Sequence, residues 1–267
     1  GAGVDRVAQA LRRAGFSVLH LSYFRAPGQP ESLELVPLET LVRGLEALRD
    51  APEVDPDRIG LVGVSKGAEA ALLLAVRAPE VRAVVLGLPS SVAWMGIDWS
   101  RGGSGDEPSW TWRGEPVPHL PYGDFDPSVG IASVYRGGLQ KLGAHPEAII
   151  PVEEVQAPLL LVCGEADAIW PSCRMSRQIE QRASEKGGPP VTLLAYEDAG
   201  HAAFGVPIPE SASGYPLLAD LGGTAEGNAR ARREAWPKTL DFLRAHLVAS
   251  PSPEGQDGDL PAEDRGR

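Results

Sequence analysis

The sequence predicts an α/β domain, a mostly parallel sheet with helices on both faces. Short apolar runs of strand length alternate along the chain with stretches of helical periodicity. A length of 267 residues is enough to bury one large core without disulfide or metal staples. A hydrophobic content of 43% excludes a chain that is disordered throughout.

Val4, Val7, Ala8 and Leu11 fall at helical spacing, with Arg12 and Arg13 in the last turn and Gly15 as the stop. The apolar run Phe16–Tyr23 then reads as a buried strand. Leu35–Arg49 returns to helical periodicity, Arg58–Val64 reads as a second strand, and Gly67–Val76 as a small-residue helix. Further strands are expected at Val81–Leu88, Pro158–Cys163 and Val191–Tyr196, and a long closing helix at Ala225–Leu247. Residues 89–155, rich in Gly, Pro and Trp, interrupt the alternation, and an excursion of that length is expected to be a lid or binding loop. The body is therefore expected to span residues 1–249. Residues 250–267 lack periodicity and are expected to form a disordered acidic tail. Gly1-Ala2-Gly3, with no initiating methionine, reads as a loop of a longer polypeptide.

Lys and Arg number 25 against 36 Asp and Glu, a net charge of −11, and no basic run is present. Nucleic acid and anionic membrane surfaces are held largely by Lys and Arg, so neither is the expected partner. No apolar stretch reaches the roughly 18 residues that a membrane helix needs, and nothing near Gly1 reads as a signal peptide. A soluble, cytoplasmic protein is expected. Cys163 and Cys173 lie in no zinc-like pattern and are expected to be buried or incidental thiols. No metal or other cofactor is expected.

The chemistry begins at Gly63-Val64-Ser65-Lys66-Gly67, a G-x-S-x-G between an apolar strand and a small-residue helix. A sharp turn there lifts the serine above the sheet at a helix N-terminus, and flanking glycines leave room for the neighbouring backbone. The amide of Lys66 can then face a developing oxyanion. A serine hydroxyl also needs a base. Of five histidines, His20 lies in the first apolar run, His119 and His145 in the excursion, and His246 on the closing helix. His201 alone follows the last strand, where the Ser, acid, His order of an α/β-hydrolase puts the base. The orienting acid should leave the sheet one strand earlier. Asp167 fits, Glu165 competes, and Asp198 reads as a loop residue or cap. Lys66 is either a phosphate anchor or a side chain facing a neighbouring loop or solvent. Trp94, Trp99, Trp110 and Trp112 either line an acyl site or form the excursion's own core.

With these residues in view the chain resembles the C-terminal hydrolase domain of the acyl-CoA thioesterase and bile acid-CoA:amino acid N-acyltransferase family. The likeness is carried by Ala14-Gly15-Phe16-Ser17-Val18, Gly60 to Gly67, Arg113-Gly114-Glu115, Ile150-Pro151-Val152-Glu153-Glu154 and Ala235-Trp236-Pro237-Lys238. The resemblance implies an α/β-hydrolase fold with Ser65, Asp167 and His201 as a catalytic triad, acting on acyl thioesters such as acyl-CoA. It also implies a strand missing between Phe16–Tyr23 and Arg58–Val64, which would leave a gap in the sheet. Gly1 to Gly3 would be the remnant of the loop that lends the second oxyanion donor, at Ala2. Serine at the nucleophile position goes with thioester hydrolysis in this family, and cysteine with amino-acid conjugation. A carboxylesterase or dienelactone-type hydrolase, an N-acyltransferase and an inactive binding domain are the alternatives.

Overall fold

A computed structural model describes residues 4–103 and 105–248. The expected acidic tail, Gly1 to Gly3 and therefore Ala2 lie outside the described residues.

Among the described residues the main sheet has four parallel strands in the order β2-β3-β6-β7: β2 Ile59–Val64, β3 Val81–Gly87, β6 Leu159–Gly164 and β7 Val191–Tyr196. The runs are apolar because both faces are covered. Alternate residues of β3 serve opposite cores, Val84 and Leu86 facing one side and Ala83 and Val85 the other. On the first side pack α2 Glu39–Arg49, α3 Lys66–Ala75 and α5 Ser172–Lys186. On the second lie α1 Asp5–Arg13 and α6 Ala225–Leu247. The side chain of Thr224 caps α6 by accepting from the Gly227 amide at 2.9 Å. Among the described residues no helix is long and apolar enough to cross a membrane.

Two expectations change. Phe16–Tyr23 is apolar as read but forms no strand. Its side chains pack alternately, Phe16 and Val18 on one core, Leu21 and Tyr23 on the other. The backbone, however, stands off from β2, and a cavity of about 770 Å³ lined by both segments lies between them. A strand needs a partner at ladder distance, and among the described residues β2 ends the sheet on this side. The expected helix Leu35–Arg49 in turn begins only at Glu39. Val36–Pro37 (β1) pairs instead with the excursion, because Leu35 takes φ +51° and Pro37 has no amide hydrogen to give a helix.

The excursion is structured. Strand β4, Trp110–Trp112, lies parallel to β1 and antiparallel to β5, Glu115–Pro116. Arg113 and Gly114 connect β4 to β5 with φ +54° and +79°, the left-handed pair of a tight hairpin turn. Helix α4, Ile131–Gln140, completes a separate small core around Val92, Trp94, Leu120, Tyr135, Trp170 and Met175.

Candidate active site

Ser65 closes β2 with φ +56° and ψ −124°, a conformation that costs energy for a residue with a Cβ. Its amide donates to the carbonyl of Gly87 on β3 at 2.8 Å, so the neighbouring strand fixes the turn. Gly63 is obligatory, since a Cβ there would come within 2.2 Å of the Gly67 carbonyl oxygen. Gly67 departs from the expectation. The nearest atom to a Cβ at that position is the Tyr23 hydroxyl at 3.7 Å, an ordinary contact.

His201, on the loop from β7 to α6, brings Nε2 to 2.7 Å from Ser65 Oγ. Its Nδ1 lies 2.9 and 3.0 Å from the two carboxylate oxygens of Asp167. A carboxylate can only accept, which places the ring proton on Nδ1 and leaves Nε2 to accept from the serine hydroxyl. Asp167 sits on the β6 to α5 loop with its carboxylate 1% exposed. It is held by the amides of Ile169 and Trp170 on Oδ1 and by the Ser172 hydroxyl, which donates to Oδ2 at 2.7 Å. The three residues singled out in the sequence thus come together. Glu165, the competing acid, is instead paired with Arg177 at the surface, and Asp198 with Arg230.

The other histidines lie elsewhere. His20 pairs with Asp5, His145 faces Glu147, and His246 packs edge-on against Phe242. In the excursion, burial lowers the pKa of His119.

The loops bearing Asp167 and His201 are tied to each other. The Leu221 carbonyl accepts from the amides of both Ala168 and His201, at 3.2 and 3.0 Å. Asn228, wholly buried on α6, accepts from the Gly200 amide and donates to the carbonyls of Leu218, Gly222 and Thr224. Arg232 donates to the Ala202 carbonyl at 2.7 Å, and burial lowers its pKa to about 10.

Cys163 and Cys173 form a disulfide, which overturns the expectation of thiols. Cys163 is near the end of β6 and Cys173 is in the first turn of α5, so the chain that leaves with Asp167 returns to its starting point. Spacing alone could not reveal this, because α5 carries only a narrow apolar stripe and does not stand out in the sequence.

Lys66 is no phosphate anchor. Its Nζ donates to both carboxylate oxygens of Glu69 at 2.8 Å, and its side chain is only 10% exposed. Burial lowers its pKa, with Glu69 acting in the opposite direction. The backbone amide of Lys66 opens α3, where the first amides have no carbonyl within the helix. The tryptophans do not converge on one pocket. Trp94 and Trp110 are wholly buried, Trp112 lies under Arg77 and Arg113, and Trp99 is 43% exposed beneath Arg25. Trp94 belongs to the excursion's own core, where Tyr135 packs edge-on against it and burial pushes the Tyr135 hydroxyl up to about 12.

Glu69, Ser172 and Asn228 were not singled out in the sequence. Glu69 alone left a signal, as an acid inside the apolar run of α3. Ser172 and Asn228 look like ordinary first-turn helix residues.

A parallel sheet that raises a strained serine between strand and helix, and meets it with a histidine and an aspartate from two later loops, has the arrangement of the α/β-hydrolase class. A family model described as BAAT / Acyl-CoA thioester hydrolase C terminal matches residues 36–249, and the chain belongs to that family. The bile acid-CoA:amino acid N-acyltransferase of Mus musculus is 27% identical over 249 residues, covering 90% of this chain and 56% of the relative. Acyl-coenzyme A thioesterase 1 of Homo sapiens is 25% identical over 268 residues, covering 96% and 58%. The chain therefore spans a little over half the length of these curated relatives. Among solved structures, an alpha/beta hydrolase enzyme from a Medee basin deep-sea metagenome library superposes with a TM-score of 0.49 at 15% identity, covering 90% of this chain and 78% of that one.

Proposed function

We propose that the protein is a serine hydrolase of acyl thioesters, with acyl-CoA as the substrate class. The observation that carries the mechanism is the chain of contacts from Ser65 Oγ through His201 to the buried Asp167 carboxylate. His201 Nε2 takes the hydroxyl proton as Ser65 Oγ bonds to the thioester carbon, and Asp167 stabilises the imidazolium that forms. The Lys66 amide, at the N-terminus of α3, donates to the oxyanion, and Ala2 is the candidate for a second donor. As the carbon–sulfur bond breaks, the proton passes from His201 to the leaving thiolate. Water, deprotonated by the same histidine, then cleaves the serine ester to give the free acid.

The choice of thioester rests on the family, whose relatives include thioesterases. The second reading, transfer of the acyl group to an amino acid, rests on the N-acyltransferase relatives. Ser65 favours hydrolysis, because water readily deacylates a serine ester while a cysteine thioester stays open to amine attack.

The test is reaction with a fluorophosphonate, with the adduct mapped by mass spectrometry, followed by acyl-CoA turnover with and without glycine or taurine. Ser65 should carry the adduct, and free acid should be the product. Ser65→Ala should retain less than about 1% of turnover. Retention of a tenth or more would overturn the mechanism, and an N-acyl product would move the assignment to transfer.

A further inference from the structure

Directly after the nucleophile lies a buried ion pair that the mechanism above does not use. Glu69 is wholly buried, and its carboxylate takes four hydrogen bonds. Two come from Lys66 Nζ at 2.8 Å, one from the backbone amide of Trp94 at 2.9 Å and one from the indole nitrogen of Trp110 at 2.7 Å. Lys66 and Glu69 both stand on the first turn of α3, while Trp94 and Trp110 belong to the excursion. One carboxylate therefore fastens the excursion at two points to the turn that presents Ser65.

The contact continues to the other side of the site. Trp94 packs edge-on against Tyr135 at 5.0 Å, Tyr135 against Trp170 at 5.3 Å, and Trp170 against the His201 ring at 5.7 Å. Trp170 also gives its amide to Asp167. A packed path thus runs from the residue that follows the nucleophile, through the excursion, to the base.

Burying two charges is costly, and replacing such a pair by apolar groups is often neutral or better for stability. Stability alone therefore does not call for an ion pair here. We propose that Lys66 and Glu69 are positioning residues of this hydrolase site, clamping the excursion to the nucleophile turn so that the Lys66 amide and His201 keep one geometry about Ser65. A carboxylate can accept all four of these hydrogen bonds, and the Lys66 ammonium pairs with it beside the place where an oxyanion forms. The ionisable groups around the pair are Tyr23, Tyr122 and Tyr135, which feel the charge of Glu69, and His119, which feels that of Lys66. The proposal rests on Ser65 being the nucleophile and is independent of the acyl substrate.

The test uses fluorophosphonate rates in the full chain, which report on Ser65, His201 and the oxyanion donors whatever the natural substrate is. Glu69→Gln and Lys66→Met each leave one buried charge unbalanced, whereas the double variant is neutral and similar in shape. Each single variant should lower the maximal labelling rate by about tenfold with half-saturation unchanged, and should show an ionisation in its pH profile that the parent lacks. The double variant should recover to within about threefold of the parent and lose that ionisation. Trp110→Phe removes one donor and keeps the ring, so it serves if a charge variant fails to fold. It should slow labelling by about threefold with unchanged half-saturation. Single variants and Trp110→Phe at the parental rate would overturn the proposal, as would a double variant no faster than the slower single. A parent that labels at another residue would overturn the nucleophile assignment, and the role of the pair with it.

Discussion

The two flanks of the main sheet are finished differently. On the β6–β7 side, the loops carrying Asp167 and His201 share the Leu221 carbonyl, Asn228 pins Gly200, and a disulfide closes the Asp167 loop at its base. On the other side the sheet stops at β2, and the Phe16–Tyr23 segment runs beside it across a cavity of about 770 Å³. Ser65 sits where the two meet, its amide held by β3. Asp167 and His201 thus belong to the closed flank, and Ser65 borders the open one. A site can be assembled to hydrogen-bond distances while the strand that leads to its serine lacks a neighbour on one side.

If the closed flank sets the geometry, the largest effect should come from its acid. Asp167→Asn keeps the shape but favours the wrong tautomer of His201, and should slow Ser65 labelling on the order of 10⁴-fold. A loss smaller than tenfold would show that the orienting group lies elsewhere. The flanks should next differ in their tolerance of truncation. Leu161→Ala, fully buried in β6, should cost about 2–5 kcal/mol in denaturant unfolding. Leu19→Ala, at a residue 45% exposed beside the cavity, should cost under about 1 kcal/mol, and equal costs would erase the contrast.

The disulfide sharpens the same comparison. Replacing Cys163 and Cys173 by alanine should lower stability by about 2–3 kcal/mol and slow labelling through the loosened Asp167 loop. Thiol titration of the denatured protein should find no free cysteine. Two free thiols would match the reducing cytoplasmic setting expected from the sequence and leave this loop unclosed. The smallest effect is electrostatic. The Arg182 hydrogen bond holds Glu153 down to about 2 from its ordinary 4.5, joining the Val152–Glu154 turn to α5. A lowered carboxylate pKa stabilises the fold above the unfolded value. Glu153→Gln should therefore cost about 1 kcal/mol or less above pH 4.5 and nothing once the pH falls through about 2. A cost that persisted at low pH would mean that packing, not charge, joins these elements.

The legible parts of the chain were those where local pattern and tertiary role agree. Strand β7 and helix α6 occur at the residues read from the sequence, since Val191–Tyr196 is bounded by prolines and a turn, and Thr224 supplies a cap. Ser65, Asp167 and His201 were legible because a strained serine turn fixes where its partners must leave the sheet. What was not legible depends on partners distant in sequence. Phe16–Tyr23 has the composition of a strand but lacks a ladder neighbour. Helix α5 buries a narrow stripe, including Cys173, Met175, Ile179 and Ala183, and is otherwise polar. The roles of Glu69 and Asn228 arise only once backbone amides and carbonyls from other segments surround them.

The edge-on contact between Trp170 and His201 has an optical consequence. A protonated imidazole beside an indole quenches its emission far more than a neutral one does. The difference in fluorescence between the parent and Trp170→Phe, followed against pH, should therefore respond to the charge on the His201 ring. The packing thus supplies an optical report on the His201 ring, readable without substrate.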